Sequence, residues 1–354
     1  MATLQATDIQ DAVNLILNSQ GKLKITDNMS TYQNTYALKR TMKKGKMTFE
    51  DGGTECEFSL LVDTNNSARF VGIGESEVVD VPNVSTRGKV GWRHMTWNWA
   101  MDGRLISMNS GSANKIFDLV QSQRLASLGS AVIKFETRFW RTPSSTDVTN
   151  PYGVPYWIVK SNTATSTNDG FNGTVPSGFT VVGNVNPTTY DRWRNYATQY
   201  TDVSQDDLVR KLRRAMVYTD FEPLVDGIPE YSTGDDMGLY SNYSVVGTLE
   251  EIARDQNENL GMDIASTDGK MVFRRTPIAF VKELDLDTTN PIYGINWGEF
   301  KCMALRGWWM KEINEPHVSG QSTVAAVHTY CTFNWIVRNR RRNFVLATNT
   351  TMGY

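Results

Sequence analysis

Near the start of the chain, Ile9, Val13, Ile16 and Leu17 recur at helical spacing after a capping Thr7 and before Gly21. That pattern predicts a short amphipathic helix. From Gly21 to Gly45 the periodicity fades and Lys39, Arg40, Lys43 and Lys44 make the segment basic. Such a stretch suits an extended arm ordered on another surface, or a solvated linker. Between Lys46 and Ala100 the period drops to two: Cys56, Phe58, Leu60 and Val62 alternate with Glu55, Glu57 and Ser59, as in a strand with one buried face. After the turn cluster 63–66 a strand is expected from Ala68 to Ile73, and after Pro82-Asn83 another from Lys89 to Trp99. A ribbon of two or three such strands is marginal by itself and asks for a partner surface.

The longest helical signal follows. Ser112 can cap a run from Ala113 to Lys134 or Phe139, ended by Pro143, with Ile116, Phe117, Leu119, Val120, Leu125, Leu128 and Val132 as a broad apolar stripe. Pro151 to Val159 reads as a strand, and Ser161 to Gly183 as a polar surface excursion. Ser204 with Asp207, and Thr248 with Glu251, open two helices. In the first, Leu208, Leu212, Ala215 and Met216 face the core and Arg210, Lys211, Arg213 and Arg214 face water. In the second, Leu249, Ile252 and Leu260 are apolar and Gly261 is the expected stop. Strands are expected at Met271–Phe273, Ile278–Leu284, Ile292–Trp297, Met303–Met310 and Val324–Val337. In the last, Cys331, Phe333, Trp335 and Val337 form a buried face. The order α, long β ribbon, long α, mixed α/β, then β describes an α+β protein with no internal repeat.

Composition removes whole classes of function. Only three histidines and three cysteines occur in 354 residues, which excludes a cysteine-rich metal domain or a disulfide-stapled scaffold. Cys56, Cys302 and Cys331 are expected as reduced, buried thiols. The formal net charge of −2 lacks the basic excess of a dedicated DNA-binding module. No secretory signal and no membrane-spanning run is evident in the sequence.

Candidate chemistry is sparse. His94, His317 and His328 have no partner at metal-ligand spacing and read as structural. No nucleophile elbow, Walker-type loop or zinc-protease motif occurs, and Gly72-Ile-Gly74 lacks the third glycine and helix of a dinucleotide site. The acidic pairs Asp206/Asp207, Asp235/Asp236 and Asp285/Asp287 each have a structural reading, so no enzyme, cofactor or metal site is assigned. The sharpest charge feature is Arg338-Asn-Arg340-Arg341-Arg342. Guanidinium forks suit carboxylates or phosphates, and acids of a neighbouring subunit are the expected partner. Ten tryptophans are either core or sheet faces that meet other copies of the chain.

The segment order resembles the major capsid proteins of tailed bacteriophages, which share the Johnson, or Hong Kong 97-type, fold. The stretch Gly88-Lys-Val-Gly-Trp-Arg-His-Met-Thr-Trp-Asn-Trp99, then Met108-Asn-Ser-Gly111 and the helix Asn114–Val120, looks like the junction where ribbon meets spine helix. Phe333 to Leu346 is similar to their terminal strands. The resemblance implies an N-arm at 1–45, an E-loop ribbon at 46–100, a P-domain at 101–145 and 291–354, and an A-domain at 146–290. It further implies self-assembly into pentamers and hexamers of an icosahedral head around double-stranded DNA, with weak non-specific DNA contact. Portal and possibly scaffolding or decoration proteins would be partners, with location in the virion after assembly in the bacterial host cytoplasm. No residue can be assigned to the Lys–Asn cross-link found in some relatives. The expected inter-subunit contact joins Glu75, Glu77 and Asp80 of the ribbon to Arg338, Arg340, Arg341 and Arg342. Two other readings remain: an encapsulin-like cargo shell, and a carbohydrate-binding or carbohydrate-processing α+β protein using tryptophans as sugar platforms.

Overall fold

A computed structural model of the chain describes residues 34–41, 47–63, 68–73, 84–108, 113–160, 170–221, 236–258, 271–274, 276–316, 320–321 and 323–348, with backbone alone for 106–108, 113–119 and 254–258. The first half holds helix α1 (Tyr36–Thr41), strands β1 (Met47–Glu50), β2 (Glu55–Leu61), β3 (Ser85–Gly91) and β4 (Arg93–Asp102), and helices α2 (Gly103–Met108), α3 (Ala113–Phe139) and α4 (Val154–Trp157). Next come β5 (Gly170–Gly173), β6 (Asn195–Gln199), α5 (Arg210–Tyr218), β7 (Met237–Ser241), α6 (Tyr243–Glu258), β8 (Val272–Phe273) and β9 (Thr276–Phe280). The chain closes through β10 (Ile292–Asn296), β11 (Phe300–Leu305), β12 (Lys311–Glu315), β13 (Val324–Val337) and β14 (Phe344–Ala347).

Two sheets and a ribbon result. One five-stranded sheet is organised on β13, whose early residues pair with β4 on one side and β12 on the other, while its late residues pair with β11; β1 adds in parallel to β11. A seven-stranded sheet runs β5-β6-β14-β10-β7-β9-β8, and among the described residues β2 pairs only with β3. Thus β10 and β14 lie in the middle of the seven-stranded sheet. Strands β10 to β14, from the segment 291–354 expected to return to one domain, are divided between the two sheets.

The long helix α3 crosses the five-stranded sheet. Phe135 meets Phe333 and Trp335 at ring-centroid distances of 5.3 and 4.9 Å, and Phe139 meets Trp335, Phe300 and Trp297 at 5.1, 5.1 and 5.7 Å. Aromatic rings at these offsets fill a core closely and add edge-to-face attraction. Val120, Ala131, Phe135 and Phe139 are its buried side, whereas Leu125 and Leu128 of the expected stripe point outward and are exposed. A second core lies under the seven-stranded sheet, where Leu208, Leu212 and Ala215, with Val245 and Leu249 of α6, cover Tyr196, Leu239, Ile292, Phe344 and Leu346.

Several local expectations are corrected. Residues 68–73 form no strand, and the expected strand 89–99 is divided at Trp92. Pro155 initiates the short helix α4 instead of continuing a strand. The helix expected to open at Thr248 begins at Tyr243, because Asn242 accepts from Val245 N at 3.2 Å and Asp285 accepts from Tyr243 N at 2.8 Å. Ser204 does accept from Asp207 N, but Asp207 turns back to Thr201 N and Asp202 N, so a π-helical turn at Gln205–Val209 precedes α5. The expected helix at 7–20 and its stop at Gly21, and Gly261, lie outside the described residues.

Part of the expected arm is a helix seated in the molecule. Both carboxylate oxygens of buried Glu136 accept from Ala37 N (3.1 and 3.0 Å), and Trp140 Nε1 donates to Oε1 at 2.9 Å. Arg40 meets Asp236 at 2.9 Å and Tyr36 packs edge-on against Tyr240. Helix α1 is therefore pinned to α3 on one side and to the seven-stranded sheet on the other.

Burial raises the Glu136 carboxyl above its ordinary value of 4.5. A carboxyl raised on folding contributes most below its unfolded value and loses that contribution as pH climbs through the folded one. Glu136→Gln, which cannot titrate, is expected to gain stability relative to the native chain between about pH 4 and about pH 7. Urea melts of both proteins at the two pH values check this; a difference that stays constant contradicts it.

Candidate functional site

The chain leaves large apolar side chains in water at several places. The ribbon is first. Cys56, Phe58 and Leu60 of β2 point inward while Glu55, Glu57 and Leu61 point out. The Phe58 ring lies 6.3 Å from both Trp157 and Trp193, and its strand partner is Gly88. A Cβ on Gly88 would come within 2.3 Å of that ring, so glycine is what lets Phe58 lie flat across β3. Lys89 N also donates to Gly183 O at 2.9 Å. On the outer face Lys89 and Arg87 meet Glu57 at 3.0 and 3.6 Å, and Lys89 holds the exposed Glu57 carboxyl below its usual range. Beyond this anchored base, Phe70 and Ile73 are fully exposed, with Val71 and Leu61 largely so. Glu75, Glu77 and Asp80 lie outside the described residues.

The arginine run is built differently from the sequence expectation. Residues Arg340–Arg342 form a 3-10 turn opened by Asn339, whose Oδ1 accepts from Arg341 N. Arg340 is wholly buried. Its Nε donates to Trp157 O at 2.7 Å, Nη1 to Trp193 O at 2.7 Å, and Nη2 to Thr174 O at 3.0 Å and Asn195 Oδ1 at 3.1 Å. Burial pushes the guanidinium down to about 9, which leaves it a cation at neutral pH. Arg342 is buried against Glu299 of its own chain at 3.6 Å. Neither can reach a neighbouring subunit, so both leave the expected contact set. Arg338 and Arg341 are half-buried, and Arg341 lies over Phe171 at 4.2 Å.

No protein-family model and no curated protein matches the chain. Solved structures do. The chain is similar to the capsid of cyanophage A-1(L), at 9% identity and a TM-score of 0.61, over 96% of this chain and 99% of that one. It is similar to the capsid of a native GTA particle, at 10% identity and a TM-score of 0.59, over 94% and 95%. The holo-SrpI encapsulin of Synechococcus elongatus PCC 7942 matches at 10% identity and a TM-score of 0.51, over 100% and 99%.

The chain has the Johnson fold.

Within this Johnson fold the remaining candidates are structural. Trp99, Trp140, Trp157, Trp193, Trp297 and Trp335 are buried, so they are core and offer no sugar platform; Trp308 remains exposed beneath Lys311 Nζ at 4.1 Å. His94 pairs with Thr332 and His328 with Glu315, while His317 lies outside the described residues. Asp287 holds buried Lys160, Asp285 caps α6, and Asp236 meets Arg40. Cys56, Cys302 and Cys331 are free and buried; burial pushes the Cys56 thiol up to about 12 and Cys331 to about 11. Among the described residues no group of His, Cys, Asp and Glu could hold a metal ion. Sequence reasoning missed Arg340's inward role and the Glu136 clamp. Each rests on partners more than ninety residues away in sequence, which no local pattern reveals.

Two outcomes follow from this geometry. Arg340→Lys keeps the charge but not the fork and leaves buried carbonyls unpaired; loss of a satisfied buried ion typically costs about 3–5 kcal/mol. Urea denaturation is expected to show a loss of that order, and a loss below about 1 kcal/mol would remove Arg340 from this role. Gly88→Val must displace the Phe58 ring, so the ribbon is expected to be cut faster by a trace protease than in Gly91→Ala, where a Cβ meets only the Arg93 tip at 3.9 Å. Equal cleavage rates in both variants contradict the anchoring role.

Proposed function

We propose that the chain is the major shell subunit of a tailed-phage head, a non-enzymatic protein that assembles into pentamers and hexamers around double-stranded DNA. The observation that carries this reading is the end-to-end match to a cyanophage capsid subunit, together with a ribbon whose apolar outer residues its own chain leaves in water. On this reading residues 1–45 are the N-arm, and the span 46–100 supplies the E-loop ribbon through β2 and β3 and two strands, β1 and β4, to the five-stranded sheet. The five-stranded sheet with α3 belongs to the P-domain and the seven-stranded sheet, including β10 and β14, to the A-domain. Ribbons lie over neighbouring P-domains, and A-domains meet at capsomer centres. Contacts that are weak singly hold because a closed shell makes all of them at once. The net charge of −2 suits a wall that contains DNA without gripping it. No described helix is long and apolar enough to cross a membrane. Portal, scaffolding and decoration proteins would be its other partners, in a virion assembled in the bacterial cytoplasm.

An encapsulin-like cargo shell is the second reading, supported by the SrpI likeness over the full chain. Electron microscopy of the expressed protein is expected to show shells or capsomers, and nuclease-protected double-stranded DNA in native particles favours the phage head over the cargo shell. A chain that stays monomeric in every assembly buffer contradicts both.

Within the phage-head reading, Glu75 and Glu77 of the ribbon, with Asp80, meet Arg338 and Arg341 of a neighbour. Glu75→Lys with Glu77→Lys is then expected to lower particle yield at least about tenfold, roughly 1.4 kcal/mol in assembly, while the subunit melts normally. Unchanged particle yield would sink this pairing.

A further inference from the structure

Helix α5, Arg210-Lys-Leu-Arg-Arg-Ala-Met-Val-Tyr218, carries four basic residues and no acid. Leu212 and Ala215, with Leu208 a turn earlier, are its buried side, packed into the core under the seven-stranded sheet. A helix seated that way turns Arg210, Arg213, Arg214 and Val217, spaced i, i+3, i+4 and i+7, to the opposite side, and all four are exposed. Lys211 is engaged within the chain, bridged to Asp207 at 2.6 Å and donating to Gln199 O at 2.7 Å. Arg214 lies over the Tyr218 ring at 5.3 Å, a cation–π contact that restrains its guanidinium beside the face. Asp206 and Asp220 lie beyond the two ends of the helix, and among the described residues no carboxylate bridges to Arg210 or Arg213.

We infer that this face of α5 is where the subunit touches the phosphate backbone of double-stranded nucleic acid, an assignment that rests on the phage-head reading above. Three observations select phosphate over a second protein surface. Guanidinium forks pair with phosphate oxygens two bonds at a time, and the face presents three forks with no acid among them. Protein interfaces deplete charge at their centre, whereas nucleic-acid interfaces are much more positive, and on α5 the charge is the centre. The dimensions agree as well. From Arg210 to Arg214 the helix rises about 6 Å, close to two phosphate steps of one strand at about 3.4 Å each. Three phosphate contacts give weak, sequence-independent binding that salt removes. One basic face on a chain of net charge −2 therefore counts only where many copies line the same duplex.

The test measures binding of the full chain to a short blunt duplex of random sequence over a salt series. Each phosphate contact contributes a slope of about 0.9 in log K against log salt. Arg210→Gln with Arg213→Gln is expected to flatten the slope by about 1.8 and to leave the melting temperature unchanged. A slope equal to that of the native chain overturns the assignment, as does a native chain that fails to bind the duplex at low salt. Glu250 and Glu251, exposed on α6, are the acids a second copy would offer instead. Val217→Cys labelled with benzophenone maleimide decides between the two partners, because Cys56, Cys302 and Cys331 are buried and escape the label. Irradiated DNA-filled particles are expected to yield chains linked to DNA. Linkage to a second chain near Glu250, with none to DNA, overturns the proposal in favour of α6. Particles that form but hold no nuclease-protected DNA overturn the phage-head reading and the α5 contact with it; DNA-filled particles with an unchanged slope overturn the α5 contact alone.

Discussion

The guanidinium of Arg340, in the turn that carries the chain from the five-stranded sheet to the seven-stranded one, gathers distant segments around itself. Its donors reach carbonyl oxygens of Trp157, Trp193 and Thr174 and the side chain of Asn195, so segments from α4, the loop after β5, and the start of β6 converge on one planar cation. Asn195 extends the junction by bonding both backbone groups of Val159. A buried ion is costly to desolvate, and only a complete set of acceptors offsets that cost. The arrangement is thus all-or-none: the carbonyls need the fork as much as the fork needs them. The ribbon depends on it at one remove, because Trp157 and Trp193 form the seat of Phe58.

The long helix divides into two regimes. Its C-terminal half is locked by Phe135, Phe139 and Trp140 into the aromatic core, and it ends where Gly153 passes over the last carbonyls; a Cβ there would come within 2.4 Å of Phe139 O. Its middle leaves Leu125 and Leu128 in water. One element is therefore both foundation and exposed apolar surface. Glu136 holds α1 against the foundation.

What the sequence revealed follows from range. The period-two face of β2, the full extent of α3 and the length of β13 were legible because each is written in neighbouring residues. The fold class was legible from their order. Features that depend on distant partners were not: Arg340 and Arg342 read as a surface charge run until their acceptors, and Glu299, were seen. The tryptophans read equally as core or as contact faces, and burial decides for the core in most of them. Strand-like composition at Pro151–Val159 misled because burial, not periodicity, decides that segment; Tyr156, Trp157 and Ile158 are all inside. The seven-stranded sheet takes its strands from the middle and the end of the chain and skips β11 to β13 between them, so no contiguous block of sequence could delimit it.

Strands β3 and β4 are separated by Trp92 alone, whose Nε1 donates to Gly53 O at 2.9 Å, and β4 pairs along all 10 of its residues with β13. A force applied at the outer end of the ribbon is thus delivered lengthwise into that ladder. Its rungs share the load in shear instead of parting one after another. On the shell reading proposed above, this segment would act as a tension member, and internal pressure on a closed wall would be borne by the strongest direction of the sheet.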